Sequence, residues 1–352
     1  MSANLRETLI GIAKVAQTDI ATANVDADFL RFSKLNDAVA DITPNVEDDA
    51  AEIGKGNEFP NNTFLVSWNG GAVTDKYASS EWLSILLAFG LGKSTVSQPD
   101  AGAFRHTAVP IDPSTDGIEL PYLSYVEEVR PTGNVITDRM LVGNMLSAFT
   151  VSIGSGPGRA NSKANGTLAW SGKLADPSGI TLPGATVEHL LPSASLSMII
   201  NGDNYVSNRN IISLEWDWKN NPRLDDGYFP GSGFQTSGDP ATGSIRGRIE
   251  VGDRANSFRF TVRKDATSTE LAKLIAQTEG TAVFGVEGAL IAGSTHHDLN
   301  VSFPRVRYDS VKEVSQRGLL GVEVRCTVLF DENDGLLTAY ATNTIPLVGS
   351  ET

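Results

Sequence analysis

The chain has 352 residues and carries 42 Asp and Glu against 28 Lys and Arg, a formal net charge of −14. Acidity spread along the chain, with no cluster of cationic residues, excludes a conventional duplex-gripping surface, whose affinity rests on phosphate contacts. The single cysteine, Cys326, excludes an intrachain disulfide scaffold, and the length suits about two domains or one large β domain.

The chain opens with "MSANLRETLIGIAKVAQ", in which Arg6, Glu7 and Lys14 break any signal-peptide core. We read residues 1–20 as an arm or docking segment. No stretch is apolar over a length that spans a bilayer, so the expectation is a protein that inserts in no membrane and folds in a reducing, aqueous compartment. After a strand candidate, "TFLVSW", comes the clearest helix, "SSEWLSILLAFGLG" (Ser79–Gly92). Ser79 is its N-cap candidate, and Gly90 and Gly92 are read as stopping it. Gly92-Lys93-Ser94 has the form of a phosphate-loop tail. The full motif needs glycine at position 87, where Leu87 stands, and it opens a helix, whereas Gly92 closes one. Lys93 and Ser94 are therefore read as starting the following loop, with no nucleotide site.

Strand candidates "FRHTAVP" and "LSYVEEV" follow. "FTVSI" and "TLAWSG" alternate, with Phe149, Val151, Ile153, Leu168 and Trp170 to one side. "GSGPG" (Gly154–Gly158) has proline where a nucleophile elbow needs a helix, so it reads as a loop. "LADPSGITLPGATVEHLLPS" (Leu174–Ser193) carries three prolines and little pattern, and reads as a linker.

The second half repeats the strand signal. "ISLEWDWK" sets Leu214, Trp216 and Trp218 against Ser213, Glu215, Asp217 and Lys219. "IRGRIEV", "SFRFTVR" and "VEVRCTVLF" alternate likewise, the last placing Val322, Val324, Cys326, Val328 and Phe330 inward. Half-polar strands of this kind belong to antiparallel sheets with one wet face. A second helix is expected over "TSTELAKLIAQTEG" (Thr267–Gly280), with Thr267-x-x-Glu270 as a capping box and Gly280 past its end. Set in register at a constant offset of 188, Ser80, Leu83, Leu86, Leu87, Ala88 and Gly92 match Ser268, Leu271, Leu274, Ile275, Ala276 and Gly280. Trp82, Leu83, Leu86 and Leu87, and Leu271, Leu274 and Ile275, are the expected apolar positions of the two helices. The simplest reading is one fold used twice. The boundaries are 1–20 for the arm, 21–175 for the first domain, 176–192 for the linker and 193–352 for the second domain.

Chemistry is sparse. His296 and His297 are adjacent on a strand pattern, so their rings point to opposite faces and make a poor metal pair. They read as a surface turn, with no metal or cofactor expected. "DENDG" (Asp331–Gly335) lacks the calcium-loop spacing, and Asp334-Gly335 reads as a hairpin turn. Glu127, Glu128, Glu215, Asp217 and Glu323 could supply a glycosidase carboxylate pair, but nothing singles one out. No enzyme activity is expected.

The arrangement resembles the two-domain major tail tube proteins of long-tailed bacteriophages. The likeness is carried by "LIGIAKVAQT", "TFLVSW" with "SSEWLSILLAFGLG", "GTLAWSGKL", "SLSMIINGDNYVSNRNIISLEWDWKNNP", "GSIRGRIEV", "DLNVSFPRVRYDSV" and "GVEVRCTVLFDENDGLLTAYATNTIP". The insertions "VRPTGNVITD" and "DDGYFPGSGFQTSGD" have no match in it. The resemblance implies a mainly β protein: two tandem copies of a tail-tube β-sandwich or barrel-forming domain, each with one flanking helix. It implies trimeric, pseudo-hexameric rings stacked into the hollow tail tube of the virion, assembled in the host cytoplasm. The implied partners are further copies of the chain, a tape-measure protein, tail initiation and termination proteins, and genomic DNA in transit without tight binding. A conduit must not hold DNA, so acidic strand faces are expected to line the lumen, with Glu215 and Asp217 as candidates. A related distal-tail or baseplate ring, or a carbohydrate-active β-sandwich enzyme, are the alternatives.

Overall fold

Residues whose side chains alternate apolar and polar form strands that can bury one face and wet the other, and this pattern fills most of the chain. A computed structural model describes residues 9–20, 22–33, 40–48, 63–112, 114–117, 119–129, 136–154, 160–175, 180–224, 251–265, 269–316 and 319–350. Outside them lie the arm residues 1–8, most of "GSGPG", the centre of "VRPTGNVITD", "DDGYFPGSGFQTSGD", nearly all of "IRGRIEV", and Thr267 and Ser268.

The strands are β1 (Leu9–Ala13), β2 (Phe29–Ser33), β3 (Asp41–Asp48), β4 (Thr63–Tyr77), β5 (Gly92–Asp100), β6 (Ala103–Pro110), β7 (Leu123–Val129), β8 (Ile136–Gly154) and β9 (Lys163–Ala175). They continue as β10 (Leu196–Ile200), β11 (Asp203–Asn204), β12 (Ile211–Lys219), β13 (Ala255–Arg263), β14 (Glu279–Ala292), β15 (Thr295–Gln316), β16 (Leu319–Val328) and β17 (Thr338–Asn343). The helices are α1 (Ser80–Leu91), α2 (Tyr205–Arg209) and α3 (Glu270–Ile275). The strands hydrogen-bond into one 17-stranded sheet, antiparallel at each pairing, so the protein is mainly β as expected.

Within that sheet one run of eight strands has the order β3-β4-β9-β8-β12-β13-β16-β15. The pairing β3-β4-β9-β8 in the first half is followed by β12-β13-β16-β15 in the second, and the β8–β12 ladder joins them from Ser213–Gly154 to Lys219–Ala148. Further strands fold over the inner face. The first part of β15 pairs with both β14 and β17, and β17 crosses to β6 of the first half. The core lies between. Trp216 packs edge-on against Phe149 at 5.0 Å and meets Phe284 and Phe303 of the overlying strands at 6.1 Å each. Cys326 is buried as expected, and burial pushes its thiol up to about 12.

Helix α1 has all twelve residues buried, Trp82, Leu83, Leu86 and Leu87 among them. A helix apolar all round must be enclosed; α1 packs against β5, β6 and β8 and against β15 and β17 of the other half. It is thus an interior element where a flanking one was expected. Its caps are those read from the sequence: Ser79 accepts a hydrogen bond from the Trp82 amide, and Gly92 takes the left-handed conformation at φ 96°. Gly90 has a different role from the one expected. It lies inside the helix, where a Cβ would come within 2.6 Å of the Phe149 ring. Lys93 and Ser94 open strand β5 directly, with no intervening loop.

The second helix departs further from expectation. It runs only from Glu270 to Ile275, preceded by Thr269 with no side-chain cap bond. Leu271 and Ile275 are 59% and 76% exposed, and Leu274 is half-buried. A helix with little apolar surface to bury gains little from lengthening. Gln277, at φ 50°, turns the chain, and Gly280 sits in β14, where a Cβ would collide with the Asn201 side chain. Gly280 is therefore kept small by Asn201 and caps no helix. Asp331–Gly335 forms a tight turn, with Gly335 at φ 73°, but β16 and β17 on either side pair with other strands, so it closes no hairpin. Because β16 ends at Val328, Phe330 is 63% exposed, contrary to its expected inward position.

Two segments read as connectors are ordered by the sheet. Leu9–Ala13, in the expected arm, is strand β1 between β2 and β7, with Ile10 and Ile12 buried. In the linker, the backbone of Thr186 bonds Arg31 and that of Leu191 bonds Ala78 and Ser162.

Candidate functional surface

The outer face of the eight-stranded run is mostly polar because most alternate residues of its strands are. On β12, Ser213, Glu215, Asp217 and Lys219 alternate with the buried Leu214, Trp216 and Trp218. Register places Glu215 between Ser152 of β8 and Arg259 of β13, and Asp217 between Thr150 and Ser257. Arg259 lies opposite Arg325 of β16, and Thr261 opposite Glu323. On the first-half strands the same face carries Val73, Asp75, Tyr77, Lys163, Asn165 and Thr167.

Both central carboxylates on this face have hydrogen-bond donors. Glu215 accepts a hydrogen bond from the Arg259 guanidinium, and Asp217 accepts one from Thr150 Oγ1 at 2.6 Å. The Glu215 hydrogen bond, with the nearby Asp217 and Glu323 carboxylates, holds Arg259 above its ordinary value. The carboxylates of Asp75, Glu215, Asp217 and Glu323 are interspersed with Lys163, Lys219, Arg259 and Arg325. The face is therefore a lattice of both signs, not the acidic wall expected from Glu215 and Asp217 alone. Its hollows, of about 250 and 390 Å³, lie between the strands over Glu215, Arg259 and Glu323 and over Asp217, Arg259 and Arg325. Of the other carboxylates considered for hydrolysis, Glu127 is fully buried and accepts hydrogen bonds from Tyr125 Oη at 2.8 Å and the Ala40 amide at 2.9 Å. The Glu128 side chain lies outside the described residues.

A second cluster escaped the sequence reading. His296 and His297 do point to opposite faces, but His297 is buried and so is no part of a surface turn. Its ring stacks on His189 of the linker with centroids 3.7 Å apart and planes 14° apart. Glu81, buried in the first turn of α1, receives His189 Nδ1 at 2.7 Å and the His189 amide at 2.9 Å, and lies 3.5 Å from His297 Nδ1. Ser80 Oγ is 2.8 Å from that same His297 nitrogen. The three ligand-type groups lie within 4.8 Å of one another. The imidazole lone pair lies in the ring plane. Two nearly parallel rings stacked face to face offer no nearby point in both planes, so this arrangement is a hydrogen-bonded clamp and not a two-histidine metal centre. Nothing local marks it, since Glu81 and His189 are 108 residues apart and Ser80 and His297 are 217 apart.

Compared with known proteins, the chain matches no protein-family model and no curated sequence. Among the described residues no helix is long and apolar enough to cross a membrane.

Proposed function

We propose that the protein is a structural subunit of a phage tail tube, built from two copies of one tube domain, residues 21–175 and 193–352, around the 176–192 linker. The observation that carries this reading is the repeated pairing β3-β4-β9-β8 and β12-β13-β16-β15, set side by side in one continuous run. In each half a strand leads through a helix into a hairpin, β4-α1-β5-β6 and β13-α3-β14-β15. The unequal helices then mark divergence: α1 was absorbed into the core and α3 remained on the surface.

The run leaves two edges. Among the described residues β3 has only β4 as its neighbour, and β15 beyond Tyr308 has only β16. Unpaired edges invite another strand, and an edge met by the next copy closes a ring. Three copies would give a barrel of about 24 strands, wide enough for an open channel. Its wall would be the polar face with Glu215 and Asp217. Because the carboxylates of Asp75, Glu215, Asp217 and Glu323 stand among the cations of this wall, DNA would meet no wholly cationic surface to release its counterions against. Stacked rings make a filament by a non-closing contact. The partners are then further copies, a tape-measure protein, tail initiation and termination proteins, and passing DNA. The subunit has no catalytic role, inserts in no membrane, and is assembled in the host cytoplasm into the virion tail.

Negative-stain microscopy of the purified chain tests this. Tubes of stacked rings are the expected outcome. Closed single rings would make it a distal-tail or baseplate component, and monomers at every concentration and salt, even beside a tail-initiation complex, would overturn the reading.

A further inference from the structure

The clamp at Glu81 joins three parts of the chain that are distant in sequence: the first turn of α1, the 186–193 segment and the start of β15. Around it the Ser80 amide donates to the His189 carbonyl at 3.2 Å, the Leu191 amide to the Ala78 carbonyl at 2.9 Å, and the Ser162 amide to the Leu191 carbonyl at 3.0 Å. Lys76 of β4, itself buried, pairs with Glu188 at 2.8 Å. Asn343 of β17 donates to the Ser80 carbonyl and to Ser84 Oγ. His296 faces the other way, 3.6 Å from Glu287 of β14, and Asp298 belongs to the Thr342 and Arg105 side of β17 and β6.

Glu81 is the charge that acts on the stacked rings directly, and Glu188 with Lys76 lies beside the clamp. With both rings neutral the site nets one negative charge. One proton on the pair neutralises it. A second proton would put two imidazolium rings face to face at 3.7 Å, one of them buried, with Glu81 the one carboxylate among the described residues that acts on His297.

We propose that the stacked His189–His297 pair over Glu81 is an acid-labile latch, opened when the pair takes up its second proton, which frees the 186–193 segment from the N-terminus of α1. The sign follows from linkage. Burial, and then the neighbouring His189, lower His297 below the ordinary histidine value of about 6.5. Opened and hydrated, it would regain that value. The open state therefore binds more protons as pH falls below about 6.5, and the closed state loses ground by up to about tenfold per pH unit until His297 protonates in place. Above that range the latch is fully closed. The inference does not depend on what the protein assembles into.

Hydrogen exchange of the full chain at pH 7.5 and pH 5.0, corrected for intrinsic rates, is the test. The amides of Ser80, Ser162 and Leu191 should lose tenfold or more of their protection at the lower pH, while amides of β12 and β13 keep theirs. In His297→Gln, which keeps a polar group toward Ser80 but cannot take the proton, that loss should vanish. Unchanged protection in the natural chain, or the same loss in H297Q, overturns the latch. An NMR titration of the four histidines in the natural chain gives a second reading that needs no variant. His297 should titrate below the ordinary histidine value of about 6.5, with linker protection falling between that value and the pH at which His297 itself titrates; protection that stays level across that interval overturns the proposal.

Discussion

Asn220 illustrates how single side chains tie the two halves together. It is fully buried, and its amide nitrogen donates to the carbonyls of Gly90 at 2.8 Å and Leu146 at 2.9 Å, while its oxygen accepts from Trp218 Nε1 at 2.9 Å. Trp218 Nε1 also reaches the Gly90 carbonyl at 3.0 Å. Gly90 lies in the last turn of α1, where carbonyls have no partner within the helix. A residue beyond β12 therefore completes a helix of the first half. Asn220→Leu would leave buried carbonyls short of donors and should destabilise the protein by about 1–3 kcal/mol. A urea midpoint for N220L equal to that of the natural chain would contradict this account. Glycine is likewise set by its neighbours: Gly92 by a left-handed cap, Gly90 by the Phe149 ring.

At the scale of elements, α1 and α3 carry the same apolar spacing with opposite consequences. Leu86 is fully buried, so Leu86→Ala should cost about 2–5 kcal/mol. Its counterpart Leu274 is half-buried, and Ile275, the equivalent of Leu87, is 76% exposed. Ile275→Ala should change stability by no more than about 0.5 kcal/mol. Chemical denaturation of L86A and I275A checks both values. A large loss in I275A for the free subunit would mean that α3 packs against the fold more closely than described. The strands were legible because their period of two is a property of the backbone itself: Leu214, Trp216 and Trp218 had to share a face wherever β12 lay. Helix length was not legible, because the same leucine spacing makes a long helix only where neighbouring elements cover it.

For the whole molecule, the β8–β12 and β6–β17 ladders and the enclosed α1 make the halves parts of one hydrogen-bonded body. Unfolding followed by far-ultraviolet circular dichroism and by tryptophan fluorescence should therefore give coincident transitions. Two separated transitions would show that residues 21–175 and 193–352 stand alone energetically. The sheet's polar face combines contributions from both halves, and its alternation of carboxylates with Arg259, Arg325 and the lysines arises only when strands far apart in sequence lie next to each other.

The sequence by itself determined the mainly β class, the wet and dry faces of strands such as β12 and β13, the two caps of α1 and the burial of Cys326. All of these follow from interactions within a few residues, or from the period at which side chains leave the backbone. Only the tertiary structure decided that β12 runs beside β8, that α1 is interior, that Gly280 answers to Asn201, and that Glu81 holds a stacked pair of histidines. Those outcomes depend on which elements meet across 59 to 217 residues. Edge pairing is set by the packing of the whole core and leaves no periodic trace in the chain.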